Sequence, residues 1–319
     1  MKFIAEEVSG ILERWNIRFA RFRTDLEPAG SPERSLARTV VQDDQGRLYR
    51  LEKINFLNVE RKNEIARIRA DLGRTLPEII APLPLGDGAY IAEIREEFWQ
   101  TTPFIEGLPL DRPAYAGEGW RGPVLADFLV RLKAAAVALP DLPQTTVFSV
   151  RRFVEDLEDK LRDRDAVLHG RILPAIRRLE EHLFPEEDSL PAGFAHGDFH
   201  PLNIVWSRTG IRAVVDWEFC GWKPELYDAA LLVGCLGMEH PRFLDGDFVR
   251  GLLESLQKSG AYAAESWKTF FDLVLALRFA WLSDWLRRAD AEMIDLEAVY
   301  LGLLLEKRDF LIRCWGLPA

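Results

Sequence analysis

Three acceptor side chains lie close together in residues 194–219, FAHGDFHPLNIVWSRTGIRAVVDWEF: Asp198, Asn203 five residues on, and Asp216 eighteen residues after Asp198. Between Asn203 and Asp216 run two short apolar, β-branched stretches, Ile204-Val205-Trp206 and Ile211 to Val215, split by the polar Ser207-Arg208-Thr209-Gly210. This pattern predicts a hairpin. A hairpin returns its ends to each other, so Asn203 and Asp216 are expected side by side, next to the loop that carries Asp198. Phosphoryl transfer needs a carboxylate that orients an attacking hydroxyl and takes its proton, with hard oxygen donors that hold Mg²⁺ against phosphates. Asp198 suits the first task, and the Asn203 amide oxygen and Asp216 carboxylate suit the second. Zinc is disfavoured, because Cys220 is the sole cysteine nearby and His196 and His200 do not form a zinc frame. Local turn chemistry explains any one of these residues taken alone, but poorly explains all three at this spacing.

On HGDFHPLN followed by VVDWE, the chain resembles the aminoglycoside phosphotransferase and choline kinase family, small-molecule relatives of the protein kinases. The protein-kinase counterparts are H-R-D-x-x-x-x-N and D-F-G; the Asp-to-Asn spacing is the same here, and Asp-Trp-Glu stands in place of Asp-Phe-Gly. The resemblance implies that Asp198 is the catalytic base and that Asn203 and Asp216 are the metal ligands. Glu218 is a second metal contact or a substrate contact on this reading. His196 is expected to brace the catalytic loop rather than act as the base. His200 packs the loop or approaches substrate. Asp228, in ELYDAALL, is a buried carboxylate expected to take the backbone amides of that loop.

Other elements must position this segment and the nucleotide. Helical spacing predicts a leading helix over residues 3–14, and strands are expected at 17–24, 36–42 and 47–54, with a hairpin turn at Asp43-Asp44-Gln45-Gly46. There is no G-x-G-x-x-G and no P-loop motif. Gly30, Ser31 and Ser35 are the candidates for phosphate contacts. A kinase needs a cation for the α/β-phosphates and an acid on the next helix to orient it. Lys53 in YRLEKI and Glu64 on the helix predicted at 58–72 are the expected pair. Arg50 is the second candidate and faces the other side of the strand. After two further strands, at 89–94 and 97–104, FWQTTPFIEGLPL resembles the segment that links the lobes in this family, which implies a hinge at Thr102 to Gly107 with Pro103, Phe104 and Ile105 closest to adenine. From Trp120 onward the pattern is helical, including helices over 172–184, with Pro174 in its first turn, and over 263–288. Trp281 and Trp285, at i and i+4, are a core stripe or one face of a cation site. Glu225, Glu239, Asp245, Asp247 and Asp284 are weighed as contacts for substrate amino groups against a plain solvated face.

The expected fold is α+β and two-lobed, protein-kinase-like, with an antiparallel sheet plus helix over 1–106 and a mainly helical lobe over 107–319. The expected activity is ATP-dependent transfer of the γ-phosphoryl group, with Mg²⁺, to a small-molecule hydroxyl on an amino-alcohol, aminoglycoside or sugar. A nucleotide-binding pseudokinase acting as an interaction module is the alternative. A hydrolase lacks its G-x-S-x-G, and a protein substrate lacks an A-P-E activation segment. The net charge of −10 disfavours nucleic acid. No apolar run is long enough for a membrane span, the acid-bearing N-terminus is not a signal peptide, and three motif-free cysteines suit a reducing cytoplasm. A cytoplasmic monomer or homodimer is therefore expected.

Overall fold

The computed structural model describes residues 3–26, 35–139 and 147–318. Gly30 and Ser31 lie outside the described residues. In chain order the elements are α1 (Ala5–Leu12), β1 (Phe19–Phe22), β2 (Ser35–Asp43), β3 (Leu48–Ile54), α2 (Val59–Leu72), β4 (Ala92–Ile94), β5 (Glu97–Pro103) and α3 (Arg121–Val137). Next come α4 (Val150–Arg164), α5 (Ala166–His182), β6 (Ala192–Ala195), β7 (Ile204–Trp206), β8 (Ile211–Val214) and β9 (Gly221–Pro224). The chain closes with α6 (Tyr227–Glu239), α7 (Asp247–Ser259), α8 (Ala264–Lys268), α9 (Phe270–Arg288) and α10 (Ala291–Cys314). Two compact units result: Met1–Leu110, Ala135–Leu142 and Pro201–Phe219 form the first, and Asp111–Ala134, Pro143–His200 and Cys220–Ala319 the second.

The first unit is built on an antiparallel sheet in the order β1-β2-β3-β5-β4. The β2–β3 turn is fixed by Asp43, whose carboxylate accepts the amides of Gln45 (3.0 Å) and Arg47 (2.8 Å), with Gly46 at φ +82. Strand alternation sends Tyr49 and Leu51 to one face, where they meet Val8, Leu12, Trp15 and Trp99 in a core. It sends Arg50 and Glu52 to the other. Helix α2 buries Ile65, Ile68 and Leu72, and also Lys62 and Arg69. The helix is not capped by the Asn58 side chain; Asn55 instead accepts from Leu57 N at 3.0 Å and starts a 3₁₀ turn ahead of it.

The β7–β8 hairpin groups with these strands and not with the helices that flank it in sequence. Leu108 N donates to Trp206 O at 2.9 Å, and Val214 N to Glu78 O at 2.8 Å. Gly107 has to be glycine for that approach, since a Cβ there would lie 2.5 Å from Val205 Cγ1.

The second unit pairs β6 with β9, Phe194 opposite Trp222, and packs helices around α9, which contacts α6 and α10. Side-chain caps start three of its helices: Ser149 for α4, Asp165 for α5 and Asp290 for α10. Because α5 begins at Ala166, Pro174 lies in its interior rather than in a first turn. The helix predicted over 263–288 is two, broken at Thr269, which is non-helical at ψ 1. No helix among the described residues is long and apolar enough to cross a membrane.

Candidate active site

In the second unit, the loop after β6 carries Asp198. Asp228, at the start of α6, holds this loop by its backbone: Oδ2 accepts His196 N at 2.6 Å and Oδ1 accepts Gly197 N at 2.8 Å. Gly197 takes φ +84, a conformation that costs glycine little. His196 is fully buried, and its Nδ1 accepts the Asp198 amide at 3.2 Å, so this nitrogen is the unprotonated one. The ring packs edge-on to Phe199, which stacks on Phe128 at 5.6 Å. His196 is therefore a brace by geometry. Burial raises the Asp228 carboxyl to about 6, opposed by the two amides and Lys223 and assisted by the charge of Asp198. His200 Nε2 lies 3.6 Å from Asp198 Oδ1, with its ring against Trp281 at 5.7 Å. Trp281 in turn meets Trp285 at 5.9 Å. Of the acids weighed for substrate amines, four already hold partners, Asp245 lying 3.9 Å from Arg250. Glu225 takes Ala263 N, Ser266 Oγ and Lys133; Glu239 takes Tyr115 and Arg112; Asp284 takes Arg287 and Arg288.

In the first unit, the open end of the β7–β8 hairpin brings Asn203 and Asp216 together. Ile204 pairs with Val214, and Val215 N donates to Asn203 O at 2.9 Å. Asn203 is buried, and Asp216 is held at φ 64, left-handed for a non-glycine residue, as backbone at functional sites often is. A single 3₁₀ turn, Trp217–Phe219, then presents Glu218. One amide and one carboxylate oxygen fit a Mg²⁺ that keeps its remaining positions for water and phosphate. Among the described residues no cluster of three or more His, Cys, Asp or Glu forms a metal cage.

A row of alternating charge leads to Glu218. Arg50 Nη2 lies 3.4 Å from Glu52 Oε2; Lys62 Nζ lies 3.1 Å from Glu52 Oε1 and 2.5 Å from Glu218 Oε1. Burial would raise the Glu52 carboxyl, but Arg50, Lys62 and a bond from Ser35 hold it down at about 2. Beside Arg50, a narrow cavity of about 40 Å³ is walled by Pro103, Phe104, Ile105, Ile80, Val205 and Val215. Arg50, Arg69, Thr102 and Ala213 complete its lining. The three predicted hinge residues thus share one cleft.

The expected Lys53–Glu64 pair does not form. Lys53 stands across from Trp99, with its ammonium 5.6 Å from that ring, and pairs with the half-exposed Glu97. Glu64 pairs with Arg61 at 2.6 Å. Alternation explains the miss: α2 reaches the face of β3 that shows Glu52, and Lys53 is on the reverse. The contact that sequence reasoning did not foresee is the ion pair of Lys62 with Glu52. The available signal was the phase of α2, since Lys62 lies three residues before Ile65 on the same buried stripe.

The fold is that of the kinase-like phosphotransferases. The model of the phosphotransferase enzyme family matches residues 31–265, and the chain belongs to that family. Similar solved structures include an amicoumacin kinase, hAmiN, in complex with AMP-PNP, Ca²⁺ and Ami (13% identity, 95% of this chain and 96% of that one, TM-score 0.64). A GDP and kanamycin complex of the aminoglycoside phosphotransferase APH(2")-IIIa is also similar (16%, 96% and 99%, 0.62). So is a choline/ethanolamine kinase family protein from Mesorhizobium loti (16%, 97% and 98%, 0.61). The chain is a small-molecule phosphotransferase.

Proposed function

We propose that this enzyme transfers the γ-phosphoryl group of ATP, with Mg²⁺, to a hydroxyl of a small molecule of the amino-alcohol, aminoglycoside or sugar class. The observation that carries the reading is the hairpin end, where Asn203 and Asp216 are brought together and a left-handed backbone holds the carboxylate. Asp198 aligns the acceptor hydroxyl and takes its proton, on a loop fixed by Asp228 and His196. Asn203 and Asp216 hold the metal, which when bound offsets phosphate charge. Pro103, Phe104 and Ile105 enclose the base. Phe104 N is donated to Leu48 O at 2.9 Å and Pro103 has no N–H, so the base edge falls to the Ile105 backbone. At about 40 Å³ the cleft holds little more than a water, and the base enters by displacing the side chains around it. His200 and Trp281 are the acceptor-side contacts. The similar solved structures that hold Ami with AMP-PNP, or kanamycin with GDP, support a small-molecule acceptor.

The test is ADP release with MgATP against a panel of amino-alcohols, aminoglycosides and sugars. Acceptor-dependent release is expected, with Asp198→Asn and Asp216→Ala each slower by roughly 10²–10⁴-fold, the range for loss of a positioned proton acceptor or charge clamp. Wild-type turnover that persists in Asp198→Asn would sink the assignment. MgATP binding with no turnover on any acceptor would favour the pseudokinase.

A further inference from the structure

Protein kinases hold the nucleotide phosphates with a lysine on the third strand and orient it with an acid on the following helix. This chain has both charges on the matching elements in the opposite order. The residue of β3 that faces α2 is Glu52, and the residue of α2 that faces β3 is Lys62, 3.1 Å away. Both side chains are 7% exposed. Lysine so deeply buried is costly unless paired, and Lys62 is shared between two carboxylates, Glu52 and Glu218. Glu218 is two residues beyond Asp216, so the ammonium stands at the metal end of the hairpin. At its other end the row reaches Arg50 and the apolar cleft of Pro103, Phe104 and Ile105. The strand-borne Lys53 is committed to Glu97 on the reverse face.

We propose that Lys62 is the cation that positions the nucleotide phosphates, with Glu52 as the acid that orients it, so that the strand–helix charge pair is inverted in this enzyme. The inference rests on the phosphotransferase reading given above. Glu218 holds the ammonium at the metal-ligand turn, and an arriving phosphate oxygen competes with that carboxylate for one of the three ammonium protons. Glu52 keeps the other side anchored throughout.

The experiment is calorimetric titration of the full chain with MgADP and, separately, with adenosine, after circular dichroism shows each variant folded. Lys62→Met is expected to weaken MgADP roughly 10- to 100-fold, as loss of one charged hydrogen-bond donor does, and to leave adenosine unchanged. A merely structural lysine would lower both affinities together. Lys62→Arg is expected to retain part of the MgADP affinity, and Lys53→Met all of it. Wild-type-like MgADP affinity in Lys62→Met, or a larger loss in Lys53→Met, overturns the inversion while leaving the phosphotransferase reading intact. A wild-type chain that binds no MgADP overturns both.

Discussion

Two buried carboxylates behave oppositely with pH because Arg50 and Lys62 outweigh the burial of Glu52, whereas burial outweighs the two amides and Lys223 at Asp228. Glu52 is held at about 2, below its ordinary 4.5. Its contribution to stability is therefore present above pH 4.5 and lost as the pH falls toward 2. It amounts to roughly 3 kcal/mol, with the burial cost already included in that shift. Urea unfolding should show Glu52→Gln less stable at pH 7, with the deficit shrinking as acid is added; a constant deficit would contradict the ionised row. Asp228 is raised from 3.8 to about 6, so its stabilising contribution is present below pH 3.8 and is lost as the pH rises through 6. The enzyme keeps an acid that costs stability at neutral pH and uses it to aim two loop amides. Asp228→Asn is expected to lower kcat while leaving neutral-pH unfolding nearly unchanged, since the amide keeps one acceptor and removes the buried charge. Asp198, Asn203, Asp216 and His196 could be named in advance because they lie in a contiguous pattern whose spacing is itself the signal, whereas Asp228, outside that pattern, was named from its place at the start of an apolar helix. The Lys62–Glu52 pair could not, because it depends on which strand face a helix covers, and Lys53 is one residue from the face that α2 meets.

At the scale of elements, the hairpin is seated by a backbone approach that only glycine permits. Gly107→Val should destabilise by about 1–3 kcal/mol, because its Cβ would meet Val205 at 2.5 Å and the Trp206 carbonyl at 3.2 Å. Gly210→Ala, with nothing within 4 Å, should be nearly silent. Thermal melts of the two variants separate the cases, and equal effects would show that the close approach is not limiting. Strong local periodicity made β2, β3, β7, β8 and α2 readable. Strands β6 and β9 were not, because AGFA and GWKP have no alternation and pair across 25 intervening residues or more. The break at Thr269 was hidden by apolar residues that continue in phase on either side of it. Pro174 misled because the cap that starts its helix, Asp165, lies well upstream.

At the scale of the molecule, neither compact unit is one stretch of chain. The first unit takes Pro201–Phe219 from the middle of the second. A fragment of residues 1–110 would lose the partners of Leu108 N and Glu78 O, and the carboxylate of Glu218 beside Lys62. It should show no cooperative thermal transition by circular dichroism, and a sharp melt would refute this. The kinase-like character of the fold was readable from a short motif, but this interleaving was not, because motif spacing carries no record of which neighbours a hairpin chooses. The same interleaving bears on how such enzymes exchange acceptor preferences by recombination. A single crossover near residue 110 would graft a foreign hairpin onto native strands, mismatching Gly107 with its neighbours and the acid after Asp216 with Lys62. Chimaeras that trade the helical part intact need paired crossovers flanking 201–219, so that the parental hairpin stays with its own sheet.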